Sequence, residues 1–225
     1  MSVQVKICGV TTPEAIEAAA SAGVRYLGFM FYPKSPRALN DMKLARNLFM
    51  AVPEEMRLVG VFVNPTNNEL EHVLSHIPLD LIQLHGDESP ARVEEVRSRF
   101  GTPIIKALPV GEVSDLAVLP AYAGVADYFL FDAKPPKNVS ALPGGNALSF
   151  DWTILQGHTF PRPWFLAGGL KAENVGQALQ ESGARMLDVS SGVEDRPGHK
   201  SPALIRHFMS QVQSAAGGSN IYAHL

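Results

Sequence analysis

Val3-Gln4-Val5-Lys6-Ile7-Cys8-Gly9-Val10-Thr11-Thr12-Pro13 is the stretch on which the fold turns. Its first half is a short, mostly apolar run, as expected of a strand covered on both faces. The loop Cys8-Gly9-Val10-Thr11 follows. Thr12 is then placed as an N-cap, with Pro13 in the first helical turn. The predicted helix, Pro13–Ala22, closes at Gly23. An open doubly wound sheet would carry a G-x-G-x-x-G turn after this strand. The loop has no such turn, which favours a barrel built from repeated strand-helix units.

The same alternation continues outward. Apolar runs recur at Tyr26–Phe31, Leu58–Val63, Leu79–Leu84, Ile104–Leu108, Tyr128–Phe131, Trp164–Ala167 and Met186–Val189. Helical patterns lie between them at Asn67–His76, Ser89–Phe100, Ala172–Ser182 and Ser201–Val212, and Asp151 caps a short helix starting at Trp152. Eight strands with right-handed crossovers in 225 residues predict a single (β/α)8 TIM barrel over residues 1–213. Residues 214–225, with Gly217-Gly218-Ser219-Asn220, are expected to form a flexible tail.

Composition narrows the function classes. Hydrophobic residues make up 46% and charged residues 18%, enough for a full core without staples. The 19 basic and 22 acidic residues give a net charge of −3 with no basic block, so nucleic acid is not an expected partner. No apolar run is long enough to span a membrane, and no secretory pattern precedes the first strand. A cytoplasmic location is the expectation. One cysteine, Cys8, excludes an intrachain disulfide and a multi-cysteine zinc site; no metal is expected.

In such barrels chemistry collects at the C-terminal ends of the strands. Gly168-Gly169 after the seventh strand and Ser190-Ser191-Gly192 after the eighth predict a phosphate site built from backbone N–H groups. Cys8 ends the first strand and reads either as a small buried filler or as a base or nucleophile. Asp132 ends the sixth and reads either as a partner of Lys134 or as a general acid. Arg37, in Pro33-Lys34-Ser35-Pro36-Arg37, sits in a stiff loop suited to a carboxylate contact. His85 reads as a wall of the site, and Asp188 as an inward or capping acid. Lys106 is read as ending the fifth strand. Lys134–Ser149 is the longest loop and is expected to act as a lid.

Taken in order, Val5-Lys6-Ile7-Cys8-Gly9-Val10-Thr11, Gly28–Arg37, Val59–Asn64, Ile82–Glu88, Phe131–Lys134, Phe150-Asp151-Trp152, Ala167–Leu170 and Leu187–Glu194 resemble phosphoribosylanthranilate isomerase over nearly the whole chain. The resemblance implies a cofactor-free Amadori rearrangement in tryptophan biosynthesis. It implies Cys8 as general base, Asp132 as general acid and Arg37 as the contact for the anthranilate carboxylate. His85, Gly145 and Asp188 are expected to line the substrate, and a phosphorylated small molecule is the expected partner of a monomer. One departure stands out: Gly144-Gly145-Asn146-Ala147 replaces the family's G-G-[TS]-G, which puts loop closure in question. Ser201 stands where an aspartate is common, and either residue can cap a helix. Two other readings compete. One is an indole-glycerol-phosphate synthase-like barrel, which leans on lysine and glutamate pairs; Lys106 offers a lysine, but no glutamate ends an early strand. The other is a non-catalytic phosphometabolite binder.

Overall fold

A computed structural model describes residues 3–134 and 149–218. Eight parallel strands close into a barrel in sequence order. They are β1 (Gln4–Cys8), β2 (Tyr26–Met30), β3 (Arg57–Phe62), β4 (Leu81–Leu84), β5 (Ile104–Val110), β6 (Tyr128–Ala133), β7 (Trp164–Leu166) and β8 (Met186–Val189). Every strand expected from an apolar run is present, with ends shifted by a few residues. The barrel closes where β1 pairs with β8, setting Lys6 beside Asp188 and Ile7 beside Val189.

Strand alternation divides the core in two. Cys8, Tyr26, Val59, Val61, Leu81, Ile105, Ala107, Leu130, Phe165 and Met186 fill the barrel. Ile7, Leu27, Phe29, Ile82, Leu84, Phe129, Phe131 and Leu187 point outward, into the layer shared with the helices. That layer holds α1 (Pro13–Ser21), α2 (Met42–Met50), α3 (Asn67–Leu74), α4 (Pro90–Phe100), α5 (Leu119–Tyr122), α6 (Val175–Ser182) and α7 (Pro202–Gly218). The predicted caps form: Thr12 accepts from Ala15 N, Ser89 from Arg92 N, and Asp151 from Thr153 N in the 3₁₀ turn Trp152–Leu155. Ser201 accepts from Leu204 N and so serves as the cap of α7.

Three features differ from the sequence reading. Helix α2 and the turn-plus-helix segment Val113–Tyr122 occupy stretches where no helix was expected. A small antiparallel hairpin, β9 (Glu194–Arg196) and β10 (His199–Lys200), follows β8. Helix α7 continues through Ser214 to Gly218, so the expected tail begins later than residue 214. Among the described residues, no helix is long and apolar enough to cross a membrane.

Candidate active site

The interior of the barrel turns polar toward the C-terminal ends of the strands. Lys6, inward on β1 like Cys8, is fully buried and donates to Asp188 at 2.9 Å. An unpaired buried ammonium would be very costly, so this pair fixes both side chains. Gly28 on β2 makes room for them: a Cβ there would lie 3.0 Å from Lys6 Nζ and 3.1 Å from Cys8 Sγ. The bare glycine lets the ammonium and the thiol share one corner of the barrel.

Burial pushes the Cys8 thiol up from its ordinary value. Lys6 and Lys200 pull it the other way and Asp188 adds to the rise, but burial prevails. The thiol therefore rests protonated at neutral pH, whereas a base or nucleophile needs its thiolate. Lys6 is raised: burial lowers it, but the Asp188 carboxylate and Cys8 more than offset that.

Across the mouth, β6 delivers Asp132. His85 Nε2 lies 3.2 Å from its Oδ2, and Ala133 N donates to its Oδ1 at 2.8 Å. Gln83 Nε2 donates to His85 Nδ1 at 2.7 Å, which leaves the ring proton on the Asp132 side. Buried Gln83 Oε1 has no partner among the described residues. Gly168, at φ +84°, packs directly over Asp132, where a Cβ would be 2.8 Å from Ala133 N and 3.3 Å from Asp132 Oδ1. Lys134 is not the partner of Asp132; it pairs with Asp115 instead.

The glycine loops after β7 and β8 form one surface. A Cβ on Gly192 would meet the Leu170 carbonyl oxygen at 1.9 Å, so only glycine allows the two loops to touch. Gly168 and Gly169 both have positive φ, which turns the chain sharply out of β7. Ser190 donates to the Cys8 carbonyl at 3.0 Å and ties this surface to β1.

Arg37 is 6% exposed, more enclosed than a loop arginine usually is. Its Nε and Nη2 donate to Glu194 Oε1 and Oε2 at 2.7 and 2.9 Å, a bidentate pair. Lys200 also donates to Glu194 Oε1, at 2.5 Å. Burial alone would raise the Glu194 carboxyl, but Arg37 and Lys200 together hold it below its usual value. Burial draws Lys200 down to about 8. Sequence reasoning assigned no role to Glu194, Lys200 or Gln83. The signal that points to Glu194 is physical: a buried arginine needs a carboxylate.

Lys106 is a correction. It lies inside β5 rather than at its end, and its neighbours Ile105 and Ala107 fill the barrel, so its own side chain faces outward. It is 2% exposed and donates to Glu88 Oε2 at 2.7 Å and to the Gly86 carbonyl at 2.7 Å. Glu88 also accepts from the backbone of Asn64 and Gly86. The pair is a latch joining the loops after β3 and β4 to β5, and it removes the lysine that a synthase-like mechanism would need. Of the segment Lys134–Ser149, expected to act as a lid, residues 135–148 lie outside the described residues, and with them Gly145 and the Gly144–Ala147 departure. Among the described residues, no group of three or more His, Cys, Asp or Glu is placed to hold a metal ion.

An inward cysteine, a histidine-linked aspartate, an anchored arginine and two glycine loops meet at the C-terminal mouth of a closed (β/α)8 barrel, where enzymes of this fold keep their active sites. The family model for N-(5'-phosphoribosyl)anthranilate (PRA) isomerase matches residues 5–211, and the chain belongs to that family. A Rhodospirillum centenum N-(5'-phosphoribosyl)anthranilate isomerase is 54% identical over 210 residues, covering 93% of this chain and 98% of the relative. A solved phosphoribosyl anthranilate isomerase in complex with reduced 1-(o-carboxyphenylamino)-1-deoxyribulose 5-phosphate superposes with a TM-score of 0.80 at 32% identity, covering 94% of this chain and 99% of that one. A structure of monomers generated from the dimeric Thermotoga maritima enzyme gives 0.79 at 32% identity, with the same coverage.

Proposed function

We propose that Cys8 and Asp132 are the base and acid with which this chain carries out its family's reaction. The chain is a PRA isomerase of tryptophan biosynthesis. It converts N-(5-phosphoribosyl)anthranilate to 1-(o-carboxyphenylamino)-1-deoxyribulose 5-phosphate. The observation that carries the assignment is the placement of the two groups. Cys8 ends β1 beside the Lys6 ammonium, and Asp132 lies near the end of β6 against His85.

Asp132, in its protonated form, gives its proton to the ring oxygen as the C1′–O bond breaks. The anthranilate nitrogen supplies the electron pair, and an iminium forms. Cys8 then removes the C2′ proton, and the freed electrons flow into the iminium to give an enolamine. The enol O–H loses its proton, C1′ gains one, and the ketone results. Four proton transfers close the balance, and no external oxidant or reductant enters.

A proton-loaded Asp132 fits the Gln83–His85 pair when the Gln83 amide is turned over. Asp132 O–H then donates to His85 Nε2, and His85 Nδ1–H donates to Gln83 Oε1, the atom that otherwise lacks a partner. Lys6 and Lys200 are the cations that favour the thiolate against burial. Gly168, Gly169, Ser190, Ser191 and Gly192 hold the phosphate through backbone N–H groups. Arg37 holds the anthranilate carboxylate, so the sugar lies stretched between acid and base. Asp188 acts through Lys6, and His85 through Asp132. The protein is taken as a cytoplasmic monomer that needs no cofactor.

Because Cys8 is the only cysteine, thiol alkylation tests the base directly. Iodoacetamide is expected to abolish turnover, faster as pH rises, and the reduced product analogue is expected to protect. Full activity after stoichiometric alkylation would remove Cys8 from the mechanism.

A further inference from the structure

Arg37 is held from three sides, none of which the reaction itself explains. Its aliphatic stem crosses Gly9, where a Cβ would lie only 2.5 Å from Arg37 Cδ. The turn of the β9–β10 hairpin covers its backbone: a Cβ on Gly198 would be 2.5 Å from the Pro36 carbonyl oxygen, and Thr11 Oγ1 donates to the Gly198 carbonyl at 3.0 Å. Glu194, from the same hairpin, grips the guanidinium.

A guanidinium has five N–H donors. Glu194 takes one from Nε and one from Nη2. The remaining donors, both on Nη1 and one on Nη2, have no partner among the described residues, and one N–H of each Nη together form the end edge of the planar fork. The grip therefore sets which edge is presented to a ligand. A carboxylate facing one arginine would also cancel its charge. Lys200 prevents that by donating to the same Oε1, so Arg37, Glu194 and Lys200 together carry a net positive charge. Lys200 is 1% exposed and donates in addition to Ser190 O and Oγ, each at 3.1 Å. Ser190 in turn donates to the Cys8 carbonyl at 3.0 Å. The cluster thus references the arginine fork to the strand that carries the base.

We infer that Glu194 and Lys200 are positioning residues: the hairpin after β8 aims the free edge of Arg37 and keeps the site positive, so that it selects an aromatic carboxylate. Glu194 supplies the orientation and Lys200 the charge. The inference rests on the reading of Arg37 as the carboxylate contact.

The test compares two inhibitors, reduced 1-(o-carboxyphenylamino)-1-deoxyribulose 5-phosphate and the same molecule without its carboxyl group. The ratio of their dissociation constants isolates the carboxylate contact from phosphate and ring binding. A charge-assisted bidentate contact predicts a ratio of about 10 to 100 in the wild type. Glu194→Gln and Lys200→Met are each expected to lower that ratio at least about threefold, while affinity for the carboxyl-free molecule changes by less than about twofold. Lys200→Arg is expected to restore the ratio, because it restores the charge. A Glu194→Gln ratio equal to wild type, with Arg37→Ala collapsing to near 1, would overturn the inference and leave Arg37 in its role. Equal loss of affinity for both inhibitors would reduce Glu194 to a structural residue and also overturn it. An unchanged ratio in Arg37→Ala would remove the reading of Arg37 beneath it. Should Glu194→Gln not fold, the Lys200→Met and Lys200→Arg pair decides.

Discussion

Gly9→Ala probes how the arginine is held without touching a catalytic group. The added Cβ would lie 2.5 Å from Arg37 Cδ, 3.1 Å from its Cβ and 3.2 Å from its Cγ. Carbon atoms pack at about 3.5–4.0 Å, so the stem must withdraw by roughly 1 Å. The Glu194 contacts, at 2.7 and 2.9 Å, lie near the optimum and reach the limit of a good hydrogen bond at about 3.2 Å. They cannot absorb that shift, so the fork turns or the loop after β1 moves. Gly9 also has φ +79°, which adds a backbone cost of about 1–2 kcal/mol for alanine. A misplacement of about 1 Å is worth up to about 10²-fold in rate. The expected outcome is a fall in kcat/KM of roughly 10–100-fold, carried mainly by KM, with the melting temperature lowered by roughly 2–8 °C. Steady-state turnover followed through anthranilate fluorescence, with calorimetry on the same preparation, reads both. A KM within about twofold of wild type would mean that the position of Arg37 does not govern binding.

Two further changes separate stability from chemistry. Lys106→Met leaves Glu88 buried without its cation, a loss of about 3–5 kcal/mol, yet kcat is expected to stay within about twofold at temperatures where the variant is folded; a tenfold loss in kcat would place Lys106 in the reaction after all. Burial draws Lys200 down to about 8 in the folded chain, from the 10.5 of a free lysine. Between those values the unfolded chain binds more protons, so this residue makes stability rise with pH, by up to about 3 kcal/mol across the window. Urea unfolding of wild type and Lys200→Met should therefore diverge from pH 8 to 10.5, the wild type gaining relative to the variant. The Cys8 contribution has the opposite sign, and losing Lys200 raises that thiol further, which widens the divergence in the same direction. Parallel curves would contradict the buried-lysine account.

The barrel was legible because buried strands announce themselves. Each of the eight is an apolar run too short for a helix, bounded by glycine, proline or polar residues. Helix α2 was not legible: its Leu44 and Met50 are exposed, at 48% and 79%, and blur the apolar stripe that marks a helix face. The β9–β10 hairpin was hidden for another reason. Glu194-Asp195-Arg196-Pro197-Gly198-His199-Lys200 has a turn signal but no apolar alternation, because its strands carry buried ions instead of hydrophobic side chains. Lys106 shows the limit of judging a residue by its nearness to a strand end. Parity decides which face it takes, and Ile105 and Ala107 take the inner one. The proposed acid–base pair is read from family motifs and strand position. Its setting was legible in part: alternation along β1 puts Lys6 on the face of Cys8, but Asp188 reaches Lys6 only when the barrel closes, and Lys200 reaches Ser190 only when the hairpin folds back.

The central claim is that Cys8 and Asp132 move protons and do not hold the substrate. Turnover of Cys8→Ala and Asp132→Asn, measured beside binding of the reduced product analogue to the same preparations, tests it most directly. The account predicts kcat lowered by about 10²–10⁴-fold in each variant, with analogue affinity within about threefold of wild type. Turnover within tenfold of wild type in either variant, or a loss of analogue binding that matches the loss of rate, would contradict it.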